Sequence, residues 1–188
     1  MLPVALDPNH TKLGLAGNGE LALNRLRALR RAGFAGLSVY GDAKLASEAG
    51  ECFRGALPDE AALGALHMLF ITGLAPDAAA ELAATARALR VLVNVEDVPA
   101  LCDFHSVAEV RRGDLLLTIS TNGAAPGLAR SIRRSLEAWF PPEWEERVNE
   151  ISALRQDWRA QGIPMAEAAR RIDAMVDERC WLSTPQPN

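Results

Sequence analysis

The stretch that decides the fold is Thr11-Lys12-Leu13-Gly14-Leu15-Ala16-Gly17-Asn18-Gly19-Glu20-Leu21-Ala22. Residues 11–16 are short and mostly apolar, a strand candidate that runs straight into Gly17. Gly17-x-Gly19-x-x-Ala22 then has the spacing of a dinucleotide phosphate loop, a motif that is weak alone and gains weight between a strand and a helix. The first glycine makes the tight turn, the second lets a pyrophosphate approach the backbone, and the third position stays small so that strand and helix pack closely. Over residues 20–32, Leu21, Leu26 and Leu29 alternate with Arg25, Arg27, Arg30 and Arg31, an amphipathic helix that Gly33 ends. Its N-terminus offers unpaired N–H groups and the positive end of a dipole to phosphates. Gly17, Asn18, Gly19, Glu20 and Leu21 are therefore candidate cofactor contacts; the alternative is a glycine turn that binds nothing.

Outward from this loop the same grammar repeats. Leu37-Ser38-Val39-Tyr40 is a second strand, closed by Gly41-Asp42. Residues 44–50 and 59–66 read as short helices, and Met68-Leu69-Phe70-Ile71-Thr72 is a continuous apolar run, as in a parallel strand buried on both faces. Pro76 opens a helix to residue 89, and Val91 to Val95 form another buried strand. Alternating strand and helix predicts an α/β, Rossmann-like parallel sheet with helices on both faces. The acid expected to hold a ribose at the end of the second strand is displaced: Asp42 is either that ligand or a turn former.

After Pro99 the pattern changes. Residues 104–110 and 115–120 read as two strands joined by Arg111-Arg112-Gly113-Asp114, residues 121–126 as a loop and 127–139 as a helix broken at Phe140-Pro141-Pro142. Trp144, Val148, Ile151, Leu154 and Trp158 fall at helical spacing, as do Met165, Ala169, Ile172 and Val176 beyond Gly162-Ile163-Pro164; such stripes pack, at a dimer or domain contact, rather than form a cofactor box. Residues 183–188 read as a tail. The expected division is a nucleotide-binding domain over 1–112, a small α+β segment over 113–143 and a helical segment over 144–188.

Composition sets outer bounds. The chain has 188 residues, 49% of them apolar, enough for a sizeable core. A net charge of −4 argues against a dedicated nucleic-acid binder. Cys52, Cys102 and Cys180 fit neither a disulfide framework nor a zinc site. No run reaches membrane-spanning length and the start lacks a signal pattern, so a cytoplasmic protein with no membrane partner is expected.

Two further clusters carry chemistry. Asn94-Val95-Glu96-Asp97 ends a predicted parallel strand, the edge where ligands of open α/β sheets sit; its acids include a general base or are turn and cap residues. Ser120-Thr121-Asn122-Gly123-Ala124-Ala125-Pro126 is a second small-residue loop running into a helix, with Arg130 and Arg134 one turn apart on one face. Arginines behind a helix N-terminus suit carboxylates; the bland reading is a capped helix with a solvated basic face. His105 is a candidate ligand contact or a surface residue.

These pieces, in this order, resemble the precorrin-2 dehydrogenase/sirohydrochlorin ferrochelatase family, the N-terminal module of siroheme synthase. The likeness runs through Leu2-Pro3-Val4, the loop Gly17 to Ala22, Asn94-Val95-Glu96-Asp97, Leu101-Cys102-Asp103-Phe104, Val110 to Leu115 and Ile119 to Arg130. The resemblance implies NAD-dependent dehydrogenation of precorrin-2 to sirohydrochlorin, in many members with insertion of Fe2+, a substrate, to give siroheme. It implies a homodimer formed through the segment after the nucleotide domain. The family's key aspartate falls on Asp97, and its loop near the tetrapyrrole falls on Ser120, Thr121, Asn122, Gly123 and Ala124. A polycarboxylate macrocycle gives Arg130 and Arg134 a role. Thr72-Gly73-Leu74 stands where the family has an Ala-Thr-Asp run near the nicotinamide, and Asn18 where it has a glycine. A homologue that binds a tetrapyrrole or a protein partner without redox chemistry is the alternative.

Overall fold

A computed structural model describes residues 2–182; the expected tail at 183–188 lies outside them. The chain divides into two compact units, residues 1–105 and 106–188.

In the first unit, β1 (Leu13–Gly17), α1 (Gly19–Arg31), β2 (Ser38–Gly41), α2 (Ala43–Ala49), β3 (Phe53–Gly55), α3 (Glu60–Gly64), β4 (Met68–Thr72), α4 (Pro76–Ala88) and β5 (Leu92–Val95) follow one another. The five strands are all parallel, in the order β3-β2-β1-β4-β5. The period-2 alternation of strand side chains splits the core in two. Leu13, Leu15, Val39 and Phe70 face Leu23, Leu26 and Leu29 of α1 and Leu45 of α2. Ala16, Tyr40, Leu69, Ile71 and Val93 face Leu63 of α3 and Leu82, Ala83 and Ala86 of α4. Neighbouring residues of one strand thus serve opposite layers, which is why the strands read as continuous apolar runs. The chain order reverses on either side of β1, so the crevice where ligands of such sheets bind opens between the carboxyl ends of β1 and β4.

The sequence reading missed β3. Phe53 and Gly55 are half-buried and Arg54 is exposed, and the strand's pairing with β2 slips register between Val39 and Tyr40, so three residues carry too short a pattern to detect.

The second unit holds β6 (Ala108–Arg112), β7 (Leu115–Ile119), α5 (Pro126–Trp139), α6 (Trp144–Ala160) and α7 (Met165–Glu178). β6 and β7 form an antiparallel hairpin, with Arg112 opposite Leu115 across a turn at Gly113, φ +55°. The expected boundary after residue 112 would cut this hairpin; the division before residue 106 keeps its two strands together. The expected strand over 104–110 begins only at Ala108, because the Phe104 carbonyl and ring are engaged by the first unit, with Asn94 and Phe70. Arg112 ties the hairpin to the end of α5 by donating to the Phe140 carbonyl at 2.7 Å. Arg147 lies over the rings of Trp144 and Trp181, at 4.9 and 5.2 Å, and Arg179 pairs with Glu150 at 2.7 Å, fastening α6 to the end of α7. Of the apolar stripes read from the sequence, Trp144 is buried, whereas Met165 stands 76% exposed. Among the described residues no helix is long and apolar enough to cross a membrane.

Candidate functional site

The loop after β1 is shaped by backbone contacts that leave no room for larger residues. A Cβ on Gly17 would overlap the Thr72 carbonyl oxygen and stand 3.1 Å from the Ala22 methyl, so both positions must stay small. The Asn18 N–H donates to that same carbonyl at 3.1 Å, and Gly73, at φ +66°, lies so close that a Cβ would overlap the Asn18 carbonyl oxygen. Gly19 is at φ +69°, yet nothing stands within 4 Å of its missing Cβ. Glycine is there for its backbone conformation, and the space above it is open to a ligand. Asn18 caps α1 by backbone position while its side chain makes no capping bond. Leu21 is exposed, and Glu20 pairs with Lys44 at 2.9 Å and Arg27 at 3.7 Å. The bond from Lys44 holds the Glu20 carboxyl below its ordinary value, and the two cations offset an acid that would otherwise oppose an incoming phosphate.

Asp42 bonds two backbone N–H groups from different elements. Its carboxylate accepts the Leu45 N–H at 2.8 Å, capping α2, and the Gly19 N–H at 2.8 Å, holding the loop. These two bonds keep its pKa below the usual carboxylate range. One side chain thus fixes α2 against the phosphate loop on the β2 side of the crevice.

On the other side, a cavity of about 180 Å³ opens at the carboxyl ends of β4 and β5, lined by Thr72, Gly73, Leu74, Val95, Glu96 and Val98 among others. Thr72 is buried, and its hydroxyl donates to the Glu96 carboxylate. Arg25 of α1 reaches the other Glu96 oxygen at 3.4 Å and lies over the Phe70 ring at 5.1 Å. Glu96 stood out in the sequence only as one of two adjacent acids, and Arg25 only as a charged residue of an amphipathic helix. Their signal was an arginine on the inward side of α1 and an acid directly after a buried strand, which only the fold brings together.

Asp97 follows Glu96 in the left-handed region, at φ +62°, and is exposed; in the chain it lies between the lining residues Glu96 and Val98. Aspartate tolerates that backbone better than most residues. The segment beyond is tied back to β5: the Asn94 amide donates to the Phe104 carbonyl at 2.8 Å, the Val93 N–H to Asp103 at 2.9 Å, and Asp103 pairs with Arg87. His105 is exposed at the end of this first unit.

The second unit carries the other loop. Asn122 and Gly123 are both in the left-handed region, at φ +53° and +77°. The Asn122 N–H donates to the Ser120 hydroxyl and the Ala125 N–H to the Thr121 hydroxyl, each at 3.2 Å. Ala124 closes the turn onto the Thr121 carbonyl at 3.0 Å. Arg130 and Arg134 are exposed on α5 without an ion-pair partner among the described residues, whereas Arg133 is held by Glu137. Among the described residues no three His, Cys, Asp or Glu side chains are grouped to hold a metal ion.

Comparison with known proteins agrees with this layout. Residues 4–108 match the family model described as "Putative NAD(P)-binding", and residues 112–138 match the model of the sirohaem biosynthesis protein central region. Siroheme synthase of Pseudomonas putida is 38% identical over 146 residues, covering 75% of this chain and 32% of that protein. Siroheme biosynthesis protein met8 of Schizosaccharomyces pombe is 32% identical over 107 residues, covering 57% of this chain and 40% of that protein. The chain therefore spans roughly a third of the length of the siroheme synthases it matches. The solved structure of SirC, precorrin-2 dehydrogenase, matches with a TM-score of 0.72 at 20% identity, over 97% of this chain and 93% of that one, which shows the shared fold. The chain belongs to the family described as "Putative NAD(P)-binding", and over this domain and the segment after it the chain is similar to siroheme synthases.

Proposed function

We propose that this chain is an NAD-dependent dehydrogenase of siroheme biosynthesis that converts precorrin-2 to sirohydrochlorin. The observation that carries the reading is one sheet edge bearing both a phosphate loop with open space at Gly19 and an exposed Asp97, which in the chain lies between the cavity-lining Glu96 and Val98. Bound NAD+ supplies the hydride acceptor. Gly17, Asn18, Gly19, Glu20 and Leu21 hold the pyrophosphate at the start of α1, with Asp42 on the ribose of the β2 side and Thr72 and Gly73 bordering the other half. The substrate loses a hydride and a proton, and a carboxylate oxygen of Asp97 takes the proton. Ser120, Thr121, Asn122, Gly123 and Ala124, with Arg130 and Arg134, receive the substrate's carboxylates. With Fe2+ as a further substrate, Asp97 also accepts protons released from the macrocycle.

We further read the protein as a cytoplasmic homodimer. The free thiols of Cys52 and Cys102 fit a reducing compartment, and the exposed Leu128, Ile132 and Trp139 of α5 fit a subunit contact. One observation favours a second reading, a tetrapyrrole-binding homologue without redox chemistry: the Gly19 N–H is already engaged by the Asp42 carboxylate. Supplying purified protein with NAD+ and precorrin-2 tests the choice, since only the dehydrogenase yields sirohydrochlorin and NADH together. On the first reading Asp97→Ala lowers that rate by about 100-fold or more while NAD+ binding persists.

A further inference from the structure

The Arg25–Glu96–Thr72 group is not accounted for by the phosphate loop or by Asp97. Glu96 lines the cavity at the ends of β4 and β5, and a carboxylate accepts hydrogen bonds but donates none. Both its oxygens are fixed, one by the Thr72 hydroxyl and one by Arg25, which is itself held over the Phe70 ring. Each retains acceptor capacity for a further donor. Thr72 also connects the two ends of the site: its carbonyl accepts the Asn18 N–H of the phosphate loop, and its hydroxyl orients Glu96. A dinucleotide whose pyrophosphate sits on the loop lies across the crevice, one nucleoside toward β2 and Asp42, the other toward β4 and β5. The cavity begins at Gly73, directly against Asn18, so the second nucleoside is the group that reaches it.

We propose that Glu96, aligned by Thr72 and Arg25, is a positioning residue that accepts hydrogen bonds from the nicotinamide riboside half of the cofactor. The proposal rests on the reading of the loop as an NAD site. Its donors are the ribose hydroxyls and the carboxamide N–H groups of that half; the adenosine half meets none of these three side chains. Fixing one end of the dinucleotide in this way holds the reacting ring in place without contact to the reacting atoms, so Glu96 acts on cofactor binding rather than on proton transfer.

Isothermal titration calorimetry with two probes tests this: NAD+, which carries the nicotinamide riboside, and ADP, which stops at the pyrophosphate. Glu96→Gln weakens NAD+ binding by about tenfold, the order of one hydrogen bond to a charged group, and leaves ADP binding within about twofold. Thr72→Val keeps the side-chain shape and the Glu96 charge, and weakens NAD+ about threefold, again sparing ADP. ADP binding serves as the check that each variant is folded. Equal losses for NAD+ and ADP would mean that Glu96 only supports the loop, and would overturn the assignment. Unchanged affinities for both probes would overturn it too. Absence of NAD+ binding by the unmodified protein would overturn the NAD reading itself, and this assignment with it.

Discussion

Gly73 and Asp42 grip the phosphate loop from opposite sides, and each makes a different demand on chemistry. Gly73 combines a left-handed backbone with contact to the Asn18 carbonyl, so Gly73→Ala adds both strain and overlap. It is expected to cost about 1–3 kcal/mol in urea unfolding, and to weaken NAD+ binding as the loop shifts. Asp42 makes a pH prediction. Its carboxyl is held below the ordinary value by the N–H groups of Leu45 and Gly19. The stability so contributed is complete above the unfolded-state pKa, about 4, and is lost as pH falls through the lower folded value. Asp42→Asn removes it, so unfolding curves of the two proteins separate above about pH 4 and converge in stronger acid. At this scale the sequence was only partly legible. The small residues at 17, 19 and 22 could be read from spacing, but Asp42 meets Gly19 from 23 residues away, and Glu96 meets Arg25 from 71, through folding alone.

The elements most easily read were those whose side chains face two layers at once. β1 and β4 stand between α1 and α2 on one side and α3 and α4 on the other, and their unbroken apolar runs follow from that double burial. Leu26 of α1 is fully buried in the first layer, and Leu26→Ala is expected to cost about 2–5 kcal/mol in chemical denaturation. A smaller loss would mean that α1, and with it the open end of the phosphate loop, is held by something other than this layer. β3 escaped notice because an edge strand of three residues, with Arg54 exposed between half-buried Phe53 and Gly55, is too short to show a run or a period. The start of β6 was placed too early because Phe104 reads as a strand residue, although its ring packs edge-on against Phe70, at 5.1 Å.

At the scale of the whole molecule, the nucleotide unit and the unit carrying the second loop are separate compact bodies with separate tasks in the proposed reaction. Arg130 and Arg134 give the second unit two exposed cations on one helical face, without an ion-pair partner among the described residues. Replacing both with alanine is expected to weaken sirohydrochlorin binding about tenfold or more, read by absorbance titration, and to leave NAD+ binding unchanged. Light scattering on the purified protein is expected to report a dimer. The most direct test of the account is the appearance of NADH when the protein is mixed with NAD+ and precorrin-2. The account predicts NADH and sirohydrochlorin in equal amounts, none without precorrin-2, and a loss of about 100-fold or more in rate for Asp97→Ala. Binding of both NAD+ and precorrin-2 with no NADH formed would contradict it.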